Sequence, residues 1–133
     1  MNYYISSKKN KLRIQAVKRL LEQTYWAKDR SEKQIAESIK HSLCFGAYLE
    51  DGTQIAFARV ITDYVTSYYV CDVIVEEGYR GKGVGTALIR EIVEDPRLDG
   101  LRGILVTSHA QPLYRRFGFE TDGERLMERK PEK

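Results

Sequence analysis

Cysteine, histidine and proline are scarce in this chain, with two, two and three residues respectively among 133. The two cysteines, Cys44 and Cys71, form no C-x-x-C pair, which argues against a disulfide scaffold and fits a reducing, cytoplasmic setting. His41 and His109 are the only histidines, too few beside two cysteines for a zinc centre, so no metal is expected. Long apolar runs are missing as well. None approaches the roughly 18 residues that a bilayer-spanning helix needs, and Met1–Lys9 lacks the apolar core of a secretory signal. No membrane partner is expected. A strong charge excess is also absent. The 22 Lys and Arg against 19 Asp and Glu leave a net charge of +3 with the signs interleaved. That pattern suits a mixed solvated surface rather than a nucleic-acid footprint.

What is present suits one globular domain spanning 1–133, with 42% hydrophobic and 31% charged residues. Tyr3-Tyr4-Ile5 opens as a short edge strand. Ile14, Val17, Leu21 and Tyr25 recur at helical spacing within a helix expected from Lys11 to about Thr24. Ser31 followed by Gln34 matches a capping box, and Ile35 and Ile39 continue a second amphipathic helix. Cys44–Leu49, Gln54–Ile61 and Ser67–Val75 read as three strands, the first two joined by the turn Glu50-Asp51-Gly52-Thr53. Val84, Leu88 and Ile92 mark a helix that ends before Pro96. Ile104-Leu105-Val106 reads as a buried strand, Pro112–Arg116 as a helical turn, and the residues from Phe117 to Met127 as one or two closing strands. The order β-α-α-β-β-β-α-β-α-β(-β) implies an α/β (α+β type) fold with a mixed, mostly antiparallel sheet flanked by helices.

The densest glycine run, Arg80-Gly81-Lys82-Gly83-Val84-Gly85, joins the third long strand to that helix. Alternate glycines let successive N–H groups converge on one oxyanion, and the helix N-terminus and two cations add positive charge. The run lacks the GxxxxGK[ST] of a P-loop and the GxGxxG of a dinucleotide fold, since Thr86 stands where the third glycine is required.

This run resembles the acetyl-CoA motif of the GNAT (Gcn5-related) N-acetyltransferases, Arg/Gln-x-x-Gly-x-Gly/Ala, and matches each fixed position. Ala110-Gln111-Pro112-Leu113-Tyr114-Arg115-Arg116-Phe117-Gly118-Phe119 is similar to the family's A-x-x-LY-x-x-x-GF segment. The two segments and the element order carry the resemblance over nearly the whole chain.

The resemblance implies acetyl-CoA as cosubstrate, with its pantetheine arm in a gap between the fourth and fifth strands. Backbone groups of Val73 and Val75 would bond the pantetheine amides. The N–H groups of Arg80, Gly81, Lys82, Gly83, Val84 and Gly85, with Thr86, would hold the pyrophosphate. The Arg80 and Lys82 side chains would touch phosphate or steer the anionic cofactor, with steering favoured for Lys82. It implies transfer to a primary amine by direct attack in a ternary complex. Tyr114 matches the tyrosine beside the thioester sulfur and is the candidate general acid. Asp72 is expected to act as base, its affinity for protons raised by burial, or to orient the amine. Asp63 is a second acid at the acceptor. Tyr25 and Trp26 either wall the acceptor pocket or pack the helix end. Ser108-His109 departs from the asparagine common in the family, and His109 reads as a capping or surface residue. Cys44 and Cys71 read as small core residues rather than nucleophiles.

The partners implied are a small-molecule amine and, as an open option, a second copy in a homodimer. The competing readings are a non-catalytic CoA-binding or regulatory module and acetylation of a protein lysine or N-terminus.

Overall fold

The computed structural model describes residues 1–131 of the 133. Five strands form one sheet in chain order: β1 (Tyr3–Ser6), β2 (Leu43–Leu49), β3 (Gln54–Thr62), β4 (Ser67–Val75) and β5 (Arg102–Leu105). The first four are antiparallel neighbours, and β5 joins β4 in parallel. That last pairing needs a crossover, supplied by α3 (Val84–Val93). Helices α1 (Ile14–Leu21) and α2 (Glu32–Lys40) lie between β1 and β2 in the chain, and α4 (Gln111–Arg115) follows β5.

Two cores result, one on each face of the sheet. Val17, Leu20 and Leu21 of α1 and Ile35 and Ile39 of α2 bury Cys44, Phe57 and Ile74. On the opposite face Val84, Leu88, Ile89 and Ile92 of α3 and Tyr114 of α4 cover Phe45, Ala56, Ala58, Val60, Tyr68 and Val70. The helix α1 is shorter than the spacing predicts, because Lys9–Lys11 form a separate 3-10 turn and the chain unwinds after Leu21. The α2 start follows the sequence closely. Ser31 Oγ accepts from Gln34 N at 3.1 Å, and Gln34 Oε1 accepts from Ser31 N at 2.9 Å.

Two irregularities shape the middle of the sheet. In β4, Cys71 pairs with Arg59 and Ile74 with Phe57, so Asp72 and Val73 together oppose Ala58. This is a β-bulge, and Asp72 enters it with φ +53°, a left-handed conformation that Asp tolerates better than most residues. The second irregularity is a splay. The β4–β5 pairing runs only from Ser67/Arg102 to Val70/Leu105, so among the described residues no strand pairs with β4 from Cys71 onward on that side.

Two expectations fail. Strand β5 is an edge rather than a buried strand, with Ile104 partly exposed and Val106 exposed beyond its end. Among the described residues no strand follows α4. From Glu120 to Pro131 every residue is exposed, and Gly123 (φ +66°) and alternating charges interrupt the one apolar pair, Leu126-Met127. Nothing in that stretch could bury one face of a strand. The outer side of β5 instead borders a groove of about 1190 Å³ shared with α4 and residues 117–127. Among the described residues no helix is long and apolar enough to cross a membrane.

Candidate active site

The gap beside β4 presents backbone groups in order. Glu76 N donates to Ile55 O across the β3–β4 pair. The alternation of an antiparallel ladder then turns the N–H and C=O of Val75 and Val73 away from β3, into the gap. The Val75 carbonyl already accepts Arg80 Nε at 2.8 Å.

The loop at the end of the gap holds six consecutive donors. From Gly81 to Thr86 no backbone N–H meets a protein acceptor among the described residues; the first helical bond of α3 is Ala87 N to Gly83 O. Gly81 (φ +76°) and Gly83 (φ +87°) take left-handed conformations that turn these groups toward one side, and a Cβ on either would point into open space. Val75, Gly81, Gly83, Gly85, Thr86 and Leu113 line a cleft of about 210 Å³ there. Together with the positive end of α3 these amides form a cradle suited to an oxyanion.

Arg80 and Tyr79 border this cleft as well, whereas Lys82 does not line it. Arg80 folds back onto Val75 O, and its Nη2 donates to Gln23 Oε1 at 3.2 Å. Gln23 also donates to Glu76 Oε2 at 2.6 Å, tying the exit of α1 to the loop. Lys82 Nζ lies 5.9 Å from the Tyr79 ring centroid.

Tyr114 is buried on α4, edge-on to Phe119 with ring centroids 5.9 Å apart. Burial raises its phenol pKa above the ordinary value, so it is a protonated donor at neutral pH. Its side faces the large groove by β5, while its neighbour Leu113 lines the cradle.

The acids behave otherwise than expected. Asp72 Oδ1 accepts Trp26 Nε1 at 3.1 Å, and Oδ2 accepts Arg30 Nη1 at 2.5 Å and Arg59 Nε at 2.7 Å. Burial alone would raise its pKa, but the hydrogen bonds and charges of Arg30 and Arg59 outweigh burial and the net shift is downward. The upward shift that a base role needs is therefore contradicted. Asp63 is exposed and closes its own turn, accepting Val65 N at 2.9 Å and Thr66 N at 2.8 Å, and these bonds hold its carboxyl well below the usual range. His109 is exposed in the bend after β5. Burial pushes the Cys44 thiol up to about 12 and the Cys71 thiol up to about 11, so neither is a thiolate near neutral pH.

Tyr25 and Trp26 stack edge to face, 5.1 Å apart, and both remain exposed. Arg30 and Arg59 were not singled out from the sequence. Arg59 carried a usable signal: a lone charge inside the apolar strand Gln54–Thr62 calls for a buried anion. Arg30 carried none, because its partner lies 42 residues away.

The comparisons agree with this geometry. A sequence profile described as the Acetyltransferase (GNAT) family matches residues 14–119. The chain is 33% identical over 107 residues to a rice protein named serotonin N-acetyltransferase 2, chloroplastic, covering 73% of this chain and 52% of that one. It is 28% identical over 97 residues to the Arabidopsis GCN5-related N-acetyltransferase 1, chloroplastic, covering 71% of this chain and 49% of that one. The chain thus spans about half the length of these curated relatives. Among solved structures, a GNAT-family protein of Xanthomonas campestris pv. campestris superposes with a TM-score of 0.91 at 41% identity, covering 98% of this chain and 94% of that one. The glucosamine-6-phosphate N-acetyltransferase of Arabidopsis thaliana shares the fold, with a TM-score of 0.72 at 15% identity over 97% of this chain and 99% of that one. With the sheet splay, the loop of unpartnered amides and these likenesses in agreement, the chain belongs to the GNAT acetyltransferase family.

Proposed function

We propose that the chain transfers the acetyl group of acetyl-CoA to a primary amine by direct attack in a ternary complex. One observation carries this reading: the gap beside β4 beyond Val70 ends at the six unpartnered amides of Gly81–Thr86. A pantetheine arm laid in that gap adds like a strand to Val73 and Val75, and the amides receive its pyrophosphate. The N–H of Arg80 is spent on Glu77 O at 3.3 Å, so the cradle begins at Gly81.

In the reaction the amine nitrogen attacks the thioester carbonyl carbon, the C–S bond breaks, and the acetyl group passes to nitrogen. The Tyr114 hydroxyl gives its proton to the departing thiolate, and the proton shed by the amine passes to water. The acceptor is a small molecule entering beside Tyr25 and Trp26, whose exposed rings offer a stacking wall. Two unpaired cysteines, Cys44 and Cys71, support a reducing, cytoplasmic setting for this work.

The test is a thermal-shift titration with acetyl-CoA followed by thiol release across a panel of primary amines. Saturating acetyl-CoA raises the melting temperature, and at least one amine accelerates thiol release. Binding without transfer to any amine would leave a CoA-binding module instead. No shift with acetyl-CoA would overturn the cradle assignment itself.

A further inference from the structure

The strand face beside Asp72 is uneven in a way that bears on the acceptor. Ile61, Tyr69 and Ile104 are direct cross-strand partners on β3, β4 and β5. They share the α1/α2 face of the sheet but lie past the helices, 45%, 37% and 36% exposed. One ladder step along stands the pair Arg59 and Cys71, and beside it Asp72 with Arg30 and Trp26. An apolar floor thus meets a cluster of two guanidinium groups and one carboxylate, a net positive edge.

The two arginines are not equivalent. Arg59 is nearly buried and is held by Asp72 and by Ser42 Oγ at 3.1 Å. Arg30 keeps 28% of its side chain exposed, and only its Nη1 has a protein acceptor among the described residues. Its backbone is clamped as well: Lys18 Nζ donates to Arg30 O at 2.8 Å, and Arg30 N donates to Ala27 O at 3.3 Å. The result is a pre-oriented guanidinium with Nε and Nη2 left to donate. The carboxylate touching Arg30 is already engaged: Asp72 accepts from Trp26, Arg30 and Arg59, while Asp63 accepts from its own turn.

We propose that the acceptor is an amine bearing an oxyanion group, carboxylate or phosphate, which Arg30 binds through its two unshared donors while the apolar body rests on Ile61, Tyr69 and Ile104. This rests on the acetyl-transfer reading and names the class of its acceptor.

Trp26 is the only tryptophan in the chain and donates to the same Asp72, so its fluorescence reports occupancy beside Arg30. With CoA at saturation, leucine is compared with leucinamide, and phosphoethanolamine with ethanolamine. The oxyanion member of at least one pair binds about 10–100-fold more tightly, the range for a hydrogen-bonded charged contact. Whichever pair shows the larger ratio identifies carboxylate or phosphate. Arg30→Gln removes that preference, and Arg30→Lys, which keeps the charge but not the fork, removes most of it. Circular dichroism and the acetyl-CoA thermal shift check that both variants are folded. Equal binding within both pairs, no saturable change with any of the four, or a preference that survives Arg30→Gln in folded protein overturns the proposal. Thiol release with the same four compounds separates the two claims. Tight oxyanion binding without transfer counts against the enzyme reading alone, whereas transfer with no preference counts against the Arg30 site alone.

Discussion

Asp72→Asn offers the sharpest view of how the acceptor side is held together. The substitution keeps the size and shape of the side chain and, because Asn also tolerates the left-handed region, the backbone at φ +53° is not penalised. What it removes is the negative charge, leaving Arg59 (12% exposed) and Arg30 (28% exposed) facing one another without compensation. Breaking a buried ion pair from one side costs about 3–5 kcal/mol. Water reaches Arg30, so about 3 kcal/mol is the expected loss. At a urea m-value of about 2 kcal/mol/M, that moves the midpoint down by about 1.5 M. The pH dependence supplies a second readout with a definite sign. The folded carboxyl titrates below the ordinary aspartate range, so the stabilisation is fully present above that range and is lost as pH falls through the folded pKa. The gap between parent and variant should therefore be constant near neutrality and close below about pH 4. Asp72→Ala should cost about 1 kcal/mol more than Asn, through the left-handed backbone. A loss under about 1 kcal/mol for Asp72→Asn at pH 7, or a gap that does not change with acid, would refute the ion-pair account.

Gly83→Val should abolish the thermal shift given by acetyl-CoA, because a β-branched residue is strained at φ +87° and its Cβ stands in the open cradle; an unchanged shift in folded protein would show that the phosphates bind elsewhere. Tyr114→Phe should lower kcat by about 10²-fold, the low end for general acid catalysis, and leave acetyl-CoA affinity intact; a parent-like rate across pH would end the acid role. Tyr48→Phe should raise the melting temperature, since the buried Tyr48 hydroxyl has no partner among the described residues and its desolvation of about 1 kcal/mol or more is recovered. Ser31→Ala should cost about 1 kcal/mol in chemical denaturation by opening the capping box of α2.

Local chemistry made much of this fold readable. The Ser31–Gln34 box, the β4 limits and the glycine loop each depend on residues within a few positions of one another, and each appears in the structure as read. The closing strand was misjudged because Leu126-Met127 supplies an apolar pair on opposite faces rather than an alternation. The site divides along the same line. The glycine loop is built from consecutive residues, and its place before α3 was legible, although the Arg80 N–H that the sequence assigns to the phosphates is bonded to Glu77 O. The Asp72 cluster is assembled from β4, β3 and the α1–α2 connection, with partners 13, 42 and 46 residues away. An isolated Asp in a strand suggests burial, and burial alone would raise its pKa. Only the two distant arginines reverse that direction, and no periodicity announces them.

The bulge in β4 also changes which body of the protein the strand belongs to. Burial along Ser67–Val75 alternates without a break, as though one face were inward throughout. Yet Tyr68 and Val70 are buried among the α3 residues, whereas Ile74 is buried among those of α1 and α2. The extra residue at position 72 shifts the strand's parity, so its buried side chains pass from the α3 layer (Tyr68, Val70) to the α1/α2 layer (Ile74), while Val73 and Val75 pack on the α3 side. Losing a single residue there would not shorten a loop but turn Val73, Ile74 and Val75 inside out. Length changes that the surface turns absorb would be fatal at this one place.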